Sequence, residues 1–411
     1  MQRRVVVTGM GVVSPIGNTI DEFWNSLKEG KSGISMIENF DTSEYTTKIA
    51  GEVKEFDYSN YLDRKEIKRM DRFTQFAVVA AGDALKDSKL DVNNIDMNKF
   101  GTILGCGIGG IQTLEDQHKR LLEKGPRKVS PFLIPMMITN MVSGQVSMKF
   151  GAKGPNTTVV TACASATNAI GDAYNVIKRG DADFMFAGGS EAAITPVGVS
   201  GFSVMKALST RNDDPTAASR PFDKDRDGFI MAEGSGILVL EEYEHAIKRN
   251  ANIYGEIVGF GYSADAHHIT APAPEGEGGT RSMKMAVENS NLKPTDIDYI
   301  NAHGTSTPMN DKFETMAIKN LFKEHAYNLV VNSTKSMVGH LLGASGGIEA
   351  IATLLQMKNG YVHKTLNYTT PDEGIDLDYA KEGKNMEIKY ALSNSLGFGG
   401  HNATLAFKKY E

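Results

Sequence analysis

Residues 156–180 read NTTVVTACASATNAIGDAYNVIKRG, and the order of residue types in this stretch sets the fold class. The run Thr157–Thr161 is β-branched throughout, which restricts a helix and suits a pleated strand. Small residues then turn the chain around Cys163. Beyond the turn, Ala166, Ala169, Ile170, Ala173 and Ile177 recur at helical spacing until Gly180 closes the pattern. A strand leading through a tight turn into an amphipathic helix is the building unit of an α/β protein.

The plan returns, with a longer turn, in residues 328–360, NLVVNSTKSMVGHLLGASGGIEAIATLLQMKNG. RVVVTGMGVVSP (4–15) and GEIVGFGYSAD (255–265) likewise look like the opening strands of two similar units. The echo suggests two related halves meeting near residue 250, although βα units of this kind also arise without duplication. Further strand-like runs are Arg4–Thr8, Phe100–Leu104, Asp183–Ala187, Gly236–Glu241, Ile253–Phe260, Asp298–Asn301, Leu329–Ser333, Lys389–Ser393 and Ala403–Phe407. Helical patterns between them include Phe73–Lys86, Ala164–Arg179, Glu242–Lys248, Thr280–Asn289 and Ser345–Lys358. The alternation predicts an α/β fold with largely parallel sheets.

With 411 residues, 41% hydrophobic and 23% charged, the chain is neither disordered nor too small to bury a large core. A formal net charge of −6 argues against nucleic acid as the bulk partner. The N-terminal run is broken by Gly9 and Gly11 and reads as a strand rather than a signal peptide. No apolar stretch reaches membrane-spanning length, and two cysteines are too few for a disulfide scaffold. Cytosolic residence is the expectation.

Cys163 sits where a strand meets a helix N-terminus, whose free N–H groups favour a thiolate and can polarise an acyl carbonyl. A lone cysteine is more often a small buried hydrophobe. His303 in YINAHGTSTPMND and His340 in NSTKSMVGHLLGASGG occupy comparable strand–loop–helix junctions, where α/β folds build sites. Cysteine with histidine permits nucleophilic acyl transfer. A hydrolase needs only one such base; a second, neutral imidazole could donate to an oxyanion such as an enolate. The trio lacks the short ligand pairs of structural zinc sites. GCGIGG (105–110) fits neither nucleotide-loop pattern, and GFGG (397–400) lets backbone approach a substrate beside Phe398. Arg64, Lys65, Lys68 and Arg69 fall at helical spacing, with Arg127, Lys128 and Lys206 elsewhere; they are either a solvated face or a patch that steers an acidic partner.

Together TACAS, NAHGTSTP, TKSMVGHLLGASGGIEA and NSLGFGGHN make the chain resemble, over essentially its full length, the β-ketoacyl-[acyl carrier protein] synthases of the thiolase superfamily, in their elongating, bacterial type II form. The resemblance implies a five-layered α-β-α-β-α thiolase fold of two duplicated halves, 1–250 carrying the cysteine and 251–411 the histidines. It also implies a homodimer, no cofactor, and substrates delivered on the phosphopantetheine of an acyl carrier protein, with no membrane insertion. Cys163 would take the acyl group, with the N–H groups of Cys163 and Phe398 as its oxyanion hole. His303 and His340 would stabilise the enolate of decarboxylated malonyl-carrier, with Lys335 an organising charge. Thr270, Thr305 and Thr307 would meet the phosphopantetheine arm, Ile108 would limit the acyl pocket, and Phe398 would gate it. Asn301, Glu349 and Asn394 would hold a structural monovalent cation, and the seven basic residues would dock the carrier. Asn310 and Ala166 stand where many relatives have Gly; the resemblance puts Asn310 in a turn and the Ala166 methyl on the pocket wall.

Among the rivals, initiating synthases pair cysteine with histidine and asparagine, and a biosynthetic thiolase needs a second catalytic cysteine near the C-terminus. Polyketide ketosynthases share all three catalytic residues. A cysteine-dependent thioesterase and a non-catalytic chain-length partner are the alternatives of other classes.

Overall fold

The computed structural model describes residues 3–411, so the first two residues of the expected N-terminal half lie outside it. Ten strands form one sheet: β1 (Val5–Val13), β2 (Phe100–Gly105), β3 (Asn156–Val159), β4 (Phe184–Glu191), β5 (Gly234–Glu242), β6 (Gly255–Ala264), β7 (Tyr299–Asn301), β8 (Val330–Asn332), β9 (Tyr390–Gly397) and β10 (His401–Lys408). Their order is β8-β7-β9-β10-β6-β1-β5-β4-β2-β3. Counted outward from the centre, each half runs through its own first, fifth, fourth, second and third strands. Within the sheet the halves join where Val5–Val7 of β1 pair with Gly255–Ile257 of β6.

The sheet is mixed rather than largely parallel. Only the outer pairs β4–β2, β2–β3, β9–β7 and β7–β8 are parallel. The inner pairs are antiparallel, and the reason is visible at β9–β10: a three-residue link, Phe398–Gly400, can join only antiparallel neighbours.

Five helices complete the layers: α1 (Arg72–Ser88), α2 (Ser165–Arg179), α3 (Glu277–Asn289), α4 (Pro308–Phe322) and α5 (Ser345–Asn359). α1 covers β1, β5 and β4 on one outer face, while α3 covers β6 and β10 on the other and packs against α4. Between the halves, α2 and α5 touch each other and strands of both, which gives the α-β-α-β-α order. Every residue of α5 from Ser345 to Met357 is buried, as a helix covered on both sides must be.

The sequence echo has a backbone counterpart. Ala162 and Leu342 both adopt left-handed φ of 49°, unusual for residues with a Cβ. Each opens a single 3₁₀ turn, and α2 and α5 then begin at Ser165 and Ser345. By position in the repeat, Cys163 corresponds to Gly343.

Candidate active site

Cys163 is half-buried at the mouth of α2. Burial pushes its thiol up to about 11, and the Lys335 charge and the N–H groups of Phe398 and of Cys163 itself only partly oppose that. The helix terminus therefore does not make a resting thiolate, contrary to the expectation from sequence. Desolvation, a tertiary effect, outweighs the local dipole.

Loops at the ends of β7 and β8 bring His303 and His340 to the same spot. Both are almost fully buried, their ring centroids lie 5.2 Å apart at 85°, and one atom of each lies within 4.8 Å of the other and of the Cys163 sulfur. Both stay neutral, held well below the ordinary histidine range first by burial and then by the Lys335 charge. Their tautomers are fixed from behind. His303 Nδ1 lies 3.2 Å from the Lys335 ammonium, which can only donate, and Lys335 is itself paired with the buried Glu349. His340 Nδ1 accepts the Leu342 N–H at 3.2 Å and sits 2.9 Å from Ser345 Oγ. Each ring is left with an Nε2–H to offer the cavity. Lys335 itself is buried and does not line the cavity.

The cavity, about 460 Å³, runs past Cys163, His303 and His340. The family models for the β-ketoacyl synthase N-terminal and C-terminal domains match residues 2–246 and 254–369. The chain belongs to the β-ketoacyl synthase family. It is 56% identical to "3-oxoacyl-[acyl-carrier-protein] synthase 2" of Synechocystis sp. over 411 residues, spanning all of this chain and 99% of that one. The protein of the same name from Staphylococcus aureus is 55% identical over 410 residues, with the same coverage. One chain of the complex between a type II polyketide synthase acyl-carrier protein and its hexaketide-bound ketosynthase superposes with a TM-score of 0.93 at 36% identity, both chains fully covered. A β-ketoacyl synthase from Burkholderia phymatum gives 0.92 at 35%, again with full coverage.

Around this β-ketoacyl synthase centre, Ile108, Thr270, Thr305, Thr307, Phe398 and Lys206 also line the cavity. Ile108 belongs to an apolar cluster with Phe202, Val199 and Leu342. The Thr305 and Thr307 hydroxyls are 2.9 Å apart. Phe398 sits on the β9–β10 link with its ring 6.3 Å from that of Phe202. Arg64, Lys65, Lys68, Arg69, Arg127 and Lys128 lie outside the cavity; like Lys206 they are exposed, and none pairs with a carboxylate among the described residues.

Three expectations are corrected. Asn310 lies inside α4 rather than in a turn, and the left-handed residues are Gly304 and Ser306. The Ala166 methyl faces Gly189 of β4, where an added Cβ would meet it at 2.7 Å, and is not on the cavity wall. At the expected cation site, Asn301 Oδ1 and Glu349 Oε2 are buried without a hydrogen-bond partner among the described residues. Asn394, however, has its side chain committed to Glu314 and Thr404. Neighbouring residues of a strand point to opposite faces, and it is Ser393 that pairs in register with Asn301 and carries an unpartnered Oγ.

Two residues escaped the sequence reading. Glu314 of α4 accepts the N–H groups of His303 and Gly304, each at 2.8 Å, and so fixes the loop that carries His303. Glu191, at the end of β4, accepts from Gly107, Ile108, Gly109 and Gly343. Glutamates usually mark surface, and only a hydroxyl- and glycine-rich loop awaiting an acceptor hinted at the first.

Proposed function

We propose that the chain is a 3-oxoacyl-[acyl-carrier-protein] synthase that extends an acyl group on Cys163 by two carbons from malonyl-carrier protein. The observation that carries this reading is the pair of neutral imidazoles, both with Nδ1 occupied, beside one thiol.

In the first half-reaction the Cys163 sulfur attacks the carrier thioester. The carbonyl oxygen is held by the N–H groups of Cys163 and Phe398, the same two groups that reach the sulfur. The thiol proton leaves with the departing carrier thiol, so no separate base is consumed. In the second half-reaction malonyl-carrier loses carbon dioxide and becomes an enolate. The Nε2–H groups of His303 and His340 donate to its oxygen, and their neutrality keeps them from quenching it by proton transfer. The enolate carbon attacks the acyl carbonyl, the Cys163 sulfur leaves, and one proton from solvent restores the thiol.

The same tautomers weigh against a thioesterase, which needs a basic nitrogen to activate water: both available lone pairs are occupied. They weigh equally against zinc, since the Lys335 ammonium stands beside His303. The identities favour a fatty acid role over a polyketide one, 55–56% against 36% for the polyketide ketosynthase.

The phosphopantetheine arm enters past Thr270, Thr305 and Thr307, the acyl chain lies toward Ile108, and Phe398 gates it. The carrier, being acidic, docks on Arg64, Lys65, Lys68, Arg69, Arg127, Lys128 and Lys206, which among the described residues have no carboxylate partners to surrender. Asn301, Glu349 and Ser393 supply the oxygens a monovalent cation prefers and would hold one behind Lys335. The enzyme works as a cytosolic homodimer of two-half subunits divided near residue 250. Strand β3 ends the sheet with an open edge beside exposed Val160 and Met148, a surface a second copy would cover.

His303→Ala and His340→Ala test the second half-reaction. Carbon dioxide release from malonyl-carrier should fall about 10²–10³-fold in each, while acyl adducts still form on Cys163. Normal condensation by either variant would overturn the assignment.

A further inference from the structure

The geometry points to Glu191 as a positioning residue that clamps the acyl-pocket loop to the loop that orients His340. The inference rests on the condensing reading of the site. One carboxylate oxygen accepts from Gly107 at 2.7 Å and Gly343 at 3.1 Å, and the other from Ile108 at 3.1 Å and Gly109 at 3.3 Å, with the Cys106 thiol at 3.4 Å. The four backbone neighbours can only donate, and the Cys106 sulfur is a weak acceptor at best. A proton on Glu191 would find no good acceptor, so the group works as a carboxylate although burial raises it above the usual glutamate range.

GCGIGG therefore cradles an internal anion, not a phosphate. The internal repeat says what that anion replaces. Gly343 corresponds to Cys163, and its N–H donates to Glu191 as the Cys163 N–H is placed to donate to an acyl oxygen. Glu191 fills the second half's copy of the oxyanion hole. The fit is tight: a Cβ on Gly343 would lie 2.2 Å from the Gly107 nitrogen and 2.7 Å from Glu191.

Two functions hang on this one clamp. Gly107–Gly109 carries Ile108, which borders the acyl chain, and Gly343 follows Leu342, whose N–H fixes the His340 tautomer. In Glu191→Gln the amide NH₂ must face N–H donors whichever way it points, and the neutral amide oxygen holds the remaining donors more weakly than a carboxylate, so the grip on both loops is loosened.

Three readouts test the clamp. First, ¹⁵N shifts of the His340 ring, which need no substrate, should move from a single Nε2–H tautomer toward a mixture. Second, decarboxylation of malonyl-carrier should fall about tenfold, and the range of acyl lengths accepted by Cys163 should broaden. Third, alkylation of the Cys163 peptide by iodoacetamide should be no slower, and faster if anything. The groups facing the thiol are Lys335, His303, His340 and Glu191, and only the Glu191 charge opposes ionisation. Unchanged His340 shifts together with wild-type decarboxylation would overturn the clamp. So would a loss of all activities, alkylation included. If Glu191→Gln does not fold, Glu191→Asp, which keeps the charge but shortens the reach, must show the same pattern. Failure of the wild-type protein itself to elongate would count against the condensing reading and leave the His340 spectrum as the judge of the clamp.

Discussion

Glu314 lies wholly inside the protein, and burial pushes its carboxyl from 4.5 to about 7 against the hydrogen bonds from Gly304 and His303. The folded protein therefore holds this proton more tightly than the unfolded chain. The associated stability is full below pH 4.5 and is lost as the pH rises through 7. Between pH 5 and pH 8 the loss is about 2.5 kcal/mol, from about 1.36 kcal/mol per pH unit across the part of the interval where the two states differ. A chain of 411 residues unfolds with an entropy of about 0.9 kcal/mol/K, so Tm should drop by about 3 °C over that interval on account of this group. Glu314→Gln cannot titrate. Scanning calorimetry of both proteins at pH 5 and pH 8 should show the variant losing about 3 °C less than the wild type. The offset between the two proteins is immaterial; the slope carries the test. Buried carboxylates with raised values that do not act on Glu314, such as Asp71 and Glu349, behave alike in both proteins and cancel. Equal slopes would refute the reasoning and leave Glu314 ionised throughout.

Alkylation of Cys163 should accelerate about tenfold per pH unit up to about 11; a plateau near 8.5 would mean that the helix terminus wins after all. Reversing charge in Lys65→Glu/Arg69→Glu should weaken carrier binding about tenfold and flatten its salt dependence, read by titration calorimetry, while iodoacetamide still reaches Cys163. Unchanged affinity would return the patch to solvated surface. Ile108→Phe should shorten the longest acyl chain that loads Cys163, seen by intact mass, because added bulk in a packed pocket is not absorbed by its neighbours. An unaltered length profile would place the limit elsewhere.

The meeting of Cys163, His303 and His340 was legible because each sits in a turn of small residues between a strand and a helix, and such turns can be read locally. The two halves were legible for the same reason: TACAS and GHLLGAS use one backbone plan, down to the left-handed Ala162 and Leu342. The direction of strand pairing was not, since alternation of β and α says nothing about which strands become neighbours across the sheet. Glu191 and Glu314 were invisible because their partners are backbone N–H groups brought in by tertiary folding. The elevated Cys163 thiol was missed in the same way: a dipole can be read from one helix, desolvation only from everything packed around it. Asn394 in place of Ser393 was an error of strand face, which a motif without register does not resolve.

The measurement closest to the central claim is intact-protein mass after mixing the protein with acyl-carrier proteins of increasing length and then with malonyl-carrier protein. The account predicts an acyl adduct on Cys163 that disappears as a 3-oxoacyl-carrier two carbons longer forms. No adduct from any carrier thioester, with Cys163 still open to alkylation, would contradict it.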